Sequence, residues 1–256
     1  MRTKGKIATW TVALTAVAAF VAAGTVYASS TAKSAAAPVT KTLDSSQLRD
    51  LLVPAAEQPA GSDIKDAITL KEAQTSGLLA TPGNLVFQPN ACTSYLQNAI
   101  GDLGALDGWM QYGSRPHDAT SKKYADGLFV TVVANIPGGA NISKIRAAAA
   151  ACKTGTLTLN QRVTGTVTFT ENHNFALANA DTFSMTQGVY FAKAADAASK
   201  AVLAENGYLE EATCDSLEAY VGVGDLLIWT LEPNAADSAQ ITTAVHSKAV
   251  AALGLS

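Results

Sequence analysis

Serine and lysine residues in two short segments have the spacing that a covalent acyl-transfer reaction requires. Ser62 and Lys65 form a Ser-x-x-Lys motif, and residues 153–155 read Lys-Thr-Gly at the predicted start of a strand. In serine acyl transferases a nearby lysine can accept the proton of the nucleophile, and a Lys-Thr-Gly element accompanies it. The segment around Ser62 is rich in Pro and Gly, which favours a turn over the long buried helix such a nucleophile needs. A cap or turn role for Ser62 is the competing interpretation.

His117 and Asp118 form a second candidate pair. They lie in a predicted polar loop, residues 113–123, that also contains Arg115. An imidazole beside a carboxylate can serve as a general acid or base, as a secreted hydrolase would require. The competing interpretation is a solvated loop without a catalytic role. The sequence contains no Gly-x-Ser-x-Gly, phosphate-binding glycine loop or His-Glu-x-x-His motif that would add to either candidate.

Three cysteines, Cys92, Cys152 and Cys214, are widely separated along the chain. No two of them have the spacing of a zinc motif, and the histidines are scattered singly. We therefore predict neither a metal nor any other cofactor. In an exported protein the expected chemistry of cysteine is a disulfide, and an odd count leaves one sulfur outside the bond or bonded to another molecule.

The N-terminus has the features of an export signal. Three basic residues precede the apolar run 7–26, and small residues follow it around Ala28. This order predicts a signal peptide over residues 1–28. The run is also close to the roughly 20 residues that span a bilayer, so an uncleaved membrane anchor is the alternative. Residues 29–42, rich in Ala, Ser and Thr, are a predicted flexible linker, and residues 43–256 a single domain outside the cytoplasmic membrane.

The charge balance argues against nucleic acid as a partner. The chain has 18 Lys plus Arg against 21 Asp plus Glu. Removing residues 1–28 takes away three cations and no acid, which leaves 15 against 21 and a net charge near −6. Nucleic acids and anionic membrane surfaces bind basic patches. We therefore expect membrane contact only if the N-terminal segment is not cleaved.

Changes in the hydrophobic period predict an α+β fold. Apolar residues at helical spacing predict a helix from Pro89 that holds Cys92, and another from Asn141 that delivers Cys152 to the start of a strand. Strands are predicted at residues 109–112, 128–134, 157–159, 166–170, 182–191, 208–220 and 226–231. Further helices are predicted at residues 45–52 and from 234 onward, and residues 192–205 are predicted to form a helix or a helical loop. Hairpins without regular βαβ alternation indicate an antiparallel sheet with helices packed on it.

The order of these elements around the cysteines resembles the PknH-like extracellular sensor domain, a family of exported actinobacterial domains with and without an attached kinase. The resemblance rests on Ala91-Cys92 in a helix, a central apolar strand, Cys152 before a Thr/Leu strand, and Cys214 opening a C-terminal hairpin. It covers residues 90–253. It implies a secreted or envelope-anchored, non-catalytic domain that binds an unidentified small ligand or envelope protein. The alternatives are a secreted hydrolase or acyl transferase, and a structural or adhesive envelope protein.

The resemblance also implies a disulfide pairing. Members of that family often carry a fourth cysteine at the end of the strand after the third, and here that strand ends Trp229-Thr230-Leu231. Cys92 and Cys152 both lie on apolar helix stripes. We therefore expect them to be bonded to each other, with Cys214 left as a buried thiol.

A native-versus-reduced peptide mass map tests this pairing. We expect a linked Cys92–Cys152 peptide, and a Cys214 that reacts with alkylating agents only after unfolding. Closing a loop of about 60 residues is worth about 4 kcal/mol in the chain-entropy estimate, so reduction should lower the free energy of unfolding by that order. A bond from Cys214 to either other cysteine would contradict the alignment with the sensor-domain family.

Overall fold

The computed structural model describes residues 41–79, 85–89, 101–115, 127–173, 175–206 and 208–255. Its helices are α1 (Ser45–Leu51), α2 (Leu70–Thr75), α3 (Ile142–Ala150), α4 (Ala197–Glu205) and α5 (Ala235–Leu253). Its strands are β1 (Asp63–Ile64), β2 (Ile68–Thr69), β3 (Leu85–Gln88), β4 (Gly108–Arg115), β5 (Gly127–Asn135), β6 (Thr154–Leu159), β7 (Val163–Glu171), β8 (Asp181–Phe191), β9 (Ala212–Val223) and β10 (Leu226–Glu232). None of the helices in these ranges combines the length and apolarity needed to cross a bilayer.

All of these strands join one antiparallel sheet. The strand order is β1-β4-β5-β10-β9-β8-β7-β6-β3, and the two-residue β2 pairs with β4 beside β1. Nearly every residue of β5 and β10 is buried, because both strands are apolar on both faces and lie side by side in the interior of the sheet, between β4 and β9. The predicted α+β class, with helices on an antiparallel sheet, is confirmed.

Helices cover the two faces of the sheet unequally. One face packs against α1 and α5, around a core that includes Leu48, Val221, Ile228, Ile241 and Val245. The opposite face packs against α2 and α3, and α4 extends that layer over β7. Because side chains alternate along a strand, Leu227 and Trp229 contact the α2/α3 core, whereas Ile228 between them contacts α5.

The outer strands β6 and β7 are buried on one face only. Their apolar residues pack under α4, and within the described residues no helix covers the other face. That face presents cross-strand threonine pairs in register, and we refer to it as the threonine face: Thr154 with Thr168, Thr156 with Thr166, and Thr158 with Thr164. The alternation of Thr with Leu or Val in these two segments is thus the pattern of a half-buried antiparallel pair.

Side-chain caps determine where the helices begin. Asp44 and Thr69 each form a capping box, in which the side chain accepts from the N3 backbone N–H and the N3 side chain accepts in return. A single side-chain oxygen caps each of the later helices: Asn141 for α3, Asp196 for α4 and Asn234 for α5. The predicted helix starts at Asn141 and near residue 234 are confirmed.

The predicted C-terminal hairpin is also confirmed, but its first strand runs over Ala212–Val223 rather than residues 208–220. β9 and β10 pair around Gly224, whose φ of 56° is easily adopted by glycine. Residues 113–115 were predicted to open a polar loop, and they instead continue β4, where Gly113 pairs with Phe129 and Arg115 with Gly127. The helix predicted from Pro89, with Cys92, lies outside the described residues.

Candidate functional site

The structure separates the residues of the predicted acyl-transfer site. Ser62 donates its hydroxyl hydrogen to the Pro59 carbonyl oxygen at 2.7 Å, and Lys65 pairs with Asp63 at 2.8 Å. Ser62 precedes β1 at one end of the strand order, whereas Lys153 precedes β6 near the other end. With neighbouring strands about 4.8 Å apart, the two residues are separated by roughly 30 Å across the sheet. Ser62 therefore has the turn role, and these residues do not form an acyl-transfer site.

His117 and Asp118 lie outside the described residues, so their convergence stays untested. Arg115, predicted in the same solvated loop, is instead fully buried at the end of β4. Within the part of the chain that is described, no group of three or more His, Cys, Asp or Glu side chains is arranged to hold a metal ion.

Cys152 is buried at the end of α3 and is disulfide-bonded. No complete bridge lies within the described residues, because the predicted partner Cys92 falls outside them, so the Cys92–Cys152 pairing stays a prediction. Cys214, expected to be a buried thiol, is half-buried close to Tyr208. Burial and the neighbouring carboxylate of Asp215 raise the pKa of the Cys214 thiol to about 11, which makes it a poor nucleophile at neutral pH.

A cavity of about 330 Å³ opens to solvent where β7 ends. This volume lies at the lower end of the range of ligand sites, roughly 300–1,000 Å³. Its lining side chains combine one cation, one carboxylate, an imidazole, an amide, two hydroxyls and two phenyl rings: Arg146, Glu171, Asn172, His173, Phe175, Thr182, Phe183 and Ser184. They come from α3, from the end of β7 and the segment after it, and from the start of β8.

An ion pair joins the helix side of this cavity to the sheet side. Arg146 Nε lies 2.9 Å from Glu171 Oε1, and Arg146 Nη2 donates to the Thr182 carbonyl oxygen at 2.9 Å. The guanidinium also lies 5.6 Å from the centre of the Phe183 ring, within the range of a cation–π contact. His173 Nδ1 is 3.6 Å from the same Glu171 oxygen. Three contacts therefore hold the Arg146 guanidinium in one orientation.

Hydrogen bonds fix the segment that follows β7. Asn172 Nδ2 donates to Ser184 Oγ at 3.1 Å, and Thr186 Oγ1 donates to Asn172 Oδ1 at 3.3 Å. Thr182 Oγ1 donates to the Phe175 carbonyl oxygen at 3.1 Å. Asn172 and Phe175 in the cavity wall are thus tied to β8, and these parts of the cavity are formed before any ligand enters.

A second polar cluster lies inside the protein, between the sheet and α5. Arg115 and Glu232 are both 0% exposed. Arg115 Nη1 lies 3.4 Å from Glu232 Oε2 and 3.8 Å from Asp237 Oδ2, and its guanidinium stacks 3.9 Å from the centre of the Phe129 ring. Arg115 Nη2 donates to Gln58 Oε1 at 2.8 Å. Among the described residues, neither Glu232 oxygen receives a hydrogen bond.

This geometry changes the protonation of Glu232. Burial raises the pKa of Glu232 from its ordinary value of 4.5 to about 8, and the nearby cation of Arg115 only partly opposes that rise. Burial likewise lowers the pKa of Arg115, against the opposing effect of Glu232 and Asp237. Glu232 is therefore largely protonated at neutral pH, which removes most of the cost of enclosing a carboxylate that accepts no hydrogen bond.

Together, the fold and the cavity define a class: an α+β domain with one antiparallel sheet and a ligand-sized opening at the end of its strands. No family model matches the chain, and no curated protein is similar to it in sequence. Among solved structures, its fold resembles the extracellular domain of PknH from Mycobacterium tuberculosis, with a TM-score of 0.50 and 12% identity, over 81% of this chain and 97% of that chain. A protein of Mycobacterium smegmatis described as the Rv0999 ortholog has a TM-score of 0.40 and 11% identity, over 82% and 96%.

The raised pKa of Glu232 predicts a pH-dependent stability. The folded protein keeps the Glu232 proton up to about pH 8, whereas the unfolded chain loses it near pH 4.5. Between these values unfolding releases a proton, so the Glu232 contribution to stability is complete below pH 4.5 and is lost as the pH rises towards 8. Each pH unit in this window should lower the free energy of unfolding by up to about 1.4 kcal/mol.

Urea unfolding of Glu232→Gln and wild type at several pH values between about 5 and 8 measures this effect. Because Gln does not titrate, the variant should lose less stability than wild type as the pH rises. Glu205→Gln, at an exposed position of α4, is the control and should follow wild type. Parallel pH profiles for Glu232→Gln and wild type would contradict the assignment of a protonated Glu232.

Proposed function

We propose that this chain is an exported, non-catalytic domain of the PknH-like extracellular sensor type, which binds a ligand at the cell envelope. The observation that carries the proposal is the likeness of its fold to the extracellular domain of PknH, which extends over 97% of that domain. At 12% identity this likeness concerns the fold. The export signal and the cavity supply the independent support for location and for ligand binding.

The N-terminal sequence supports a location outside the cytoplasmic membrane. A basic segment, an apolar run at residues 7–26 and small residues around Ala28 are the parts of an export signal. A sensor-type fold behind such a segment is consistent with a secreted domain, or with a domain held at the membrane by an uncleaved segment. The net charge near −6 of residues 29–256 argues against binding to anionic membrane surfaces.

The cavity at the end of β7 is the proposed ligand site. Its polar groups already have defined positions, because Arg146 is held by Glu171 and Thr182, and Asn172 is held by Ser184. Binding to such a prearranged site costs little conformational entropy. The acyl-transfer alternative has less support, since Ser62 and Lys65 lie far from Lys153 across the sheet and none of the three lines this cavity. A purely structural or adhesive role would need no opening of this kind.

Cell fractionation tests the export part of this proposal. When residues 1–256 are expressed in a mycobacterial host, the protein should appear in the culture filtrate with Ser29 at its N-terminus. Alternatively, it should stay in the membrane fraction with its domain cleaved by a protease added to intact cells. A full-length chain in the soluble cell fraction, protected from external protease, would contradict an extracellular location.

Thermal unfolding tests the ligand-binding part. A small-molecule extract of the cell envelope of the producing host should raise the melting temperature of the purified protein, because a ligand that binds only the folded state stabilises it. Arg146→Met should abolish this increase. Arg162→Met is the matched control, since Arg162 is as exposed as Arg146 and pairs with Asp196 at 2.9 Å outside the cavity, and it should respond as wild type. An equal response of all three proteins would contradict this assignment of the site.

A further inference from the structure

We infer that the cavity between Arg146, Glu171 and Phe175 binds a neutral polyhydroxylated ligand, namely a saccharide unit. The inference rests on the proposed function, because it assigns a ligand class to the same cavity. It is drawn from three properties of the lining: its balanced charge, the hydrogen-bonding groups it leaves unused, and its phenyl rings.

The charge inside the cavity is already balanced. Arg146 and Glu171 face each other at 2.9 Å, and His173 lies 3.6 Å from the same carboxylate oxygen. An anionic ligand that approached Arg146 would also meet the Glu171 carboxylate, and a cationic ligand that approached Glu171 would meet the guanidinium. Like charges at such distances disfavour binding of either kind of ion. A neutral ligand encounters neither penalty.

The hydrogen-bonding groups that Arg146 and Glu171 leave available include both donors and an acceptor. Within the described residues, Arg146 uses Nε and Nη2, which leaves the two N–H groups of Nη1 as donors. Glu171 uses Oε1, which leaves Oε2 as an acceptor. A hydroxyl group is both donor and acceptor. The hydroxyls of one ligand can therefore accept from Arg146 and donate to Glu171, a combination that a carboxylate, a phosphate or an ammonium group does not offer.

The phenyl rings supply the apolar part of the site. Phe183 is buried under the Arg146 guanidinium and forms the inner wall, whereas Phe175 is half-exposed and its backbone carbonyl accepts from Thr182. A sugar ring has one face of C–H groups that can stack on an aromatic ring while its hydroxyls point outward to polar partners. The cavity volume of about 330 Å³ and its opening to solvent fit the end of a saccharide chain or a small free sugar.

Saturation-transfer NMR on the purified full-length protein tests the ligand class with defined probes. The neutral probes are glucose, mannose, galactose and maltose, and the charged comparators are glucuronate and glucosamine. We expect saturation transfer to at least one neutral sugar, stronger than to either charged comparator. Arg146→Met and Phe175→Ala should each weaken this binding about tenfold or more, since each removes a principal contact.

Two further variants separate a binding defect from a folding defect. Glu171→Gln keeps the size of the side chain but replaces the two carboxylate oxygens by one amide oxygen and one NH2 group. This variant should weaken sugar binding, while its melting temperature stays near that of wild type. Arg162→Met, which removes an equivalent ion pair elsewhere, should leave sugar binding unchanged. Equal binding by wild type and Arg146→Met would overturn the saccharide site.

The other outcomes distinguish this inference from the proposed function. If none of the neutral sugars binds, or if a charged comparator binds more strongly in an Arg146-dependent manner, the saccharide assignment is wrong. The ligand-binding proposal survives that result when the envelope extract still stabilises wild type and not Arg146→Met. If neither the sugars nor the extract has an Arg146-dependent effect, both the ligand class and the proposed ligand site are wrong.

Discussion

Burial of the central strands on both faces is the constraint on which the rest of this structure depends. β5 and β10 present apolar side chains to both sides of the sheet, so each face must be covered by helices. α1 and α5 cover one face, and α2, α3 and α4 cover the other. Where helices cover the sheet, polar side chains of different elements can meet around a solvent-open space at the ends of the strands. The Arg146–Glu171 cavity is at such an end.

Periodicity in the sequence predicted the elements well where a segment is long and one of its faces is buried. The hairpin of β9 and β10, the central strand β5 and the cap of α3 at Asn141 follow from local patterns. The strand order was not predictable, because it depends on pairings between distant segments such as β5 with β10. Arg115 was assigned to a loop because it stands in the polar run of residues 113–123. Its burial depends on Gln58, Phe129 and Glu232, which only the tertiary fold brings together.

The candidate site shows the same limit. Short motifs suggested chemistry at Ser62 and Lys153, but sequence spacing contains no information on which edge of the sheet a residue reaches. Arg146 and Glu171 carry no motif at all. The available signals were one arginine within an alanine-rich helix and the polar run Glu171-Asn172-His173 directly after a strand. Their significance depends on α3 packing across β8, which aligns the two residues. With 12% identity to the domain of similar fold, the ligand has to be inferred from these side chains themselves.

The attachment of the first helix has a mechanical consequence. α1 packs between β4 and α5, Lys41 donates to the Ala252 carbonyl oxygen, and Lys248 donates to the Leu52 carbonyl oxygen at 2.8 Å. A tensile force applied to the chain at residue 41 would therefore act on the C-terminal end of α5 and, through α1, on β4 of the sheet. If the N-terminal segment stays in the membrane, displacement of the domain relative to the bilayer pulls on the hydrophobic core directly.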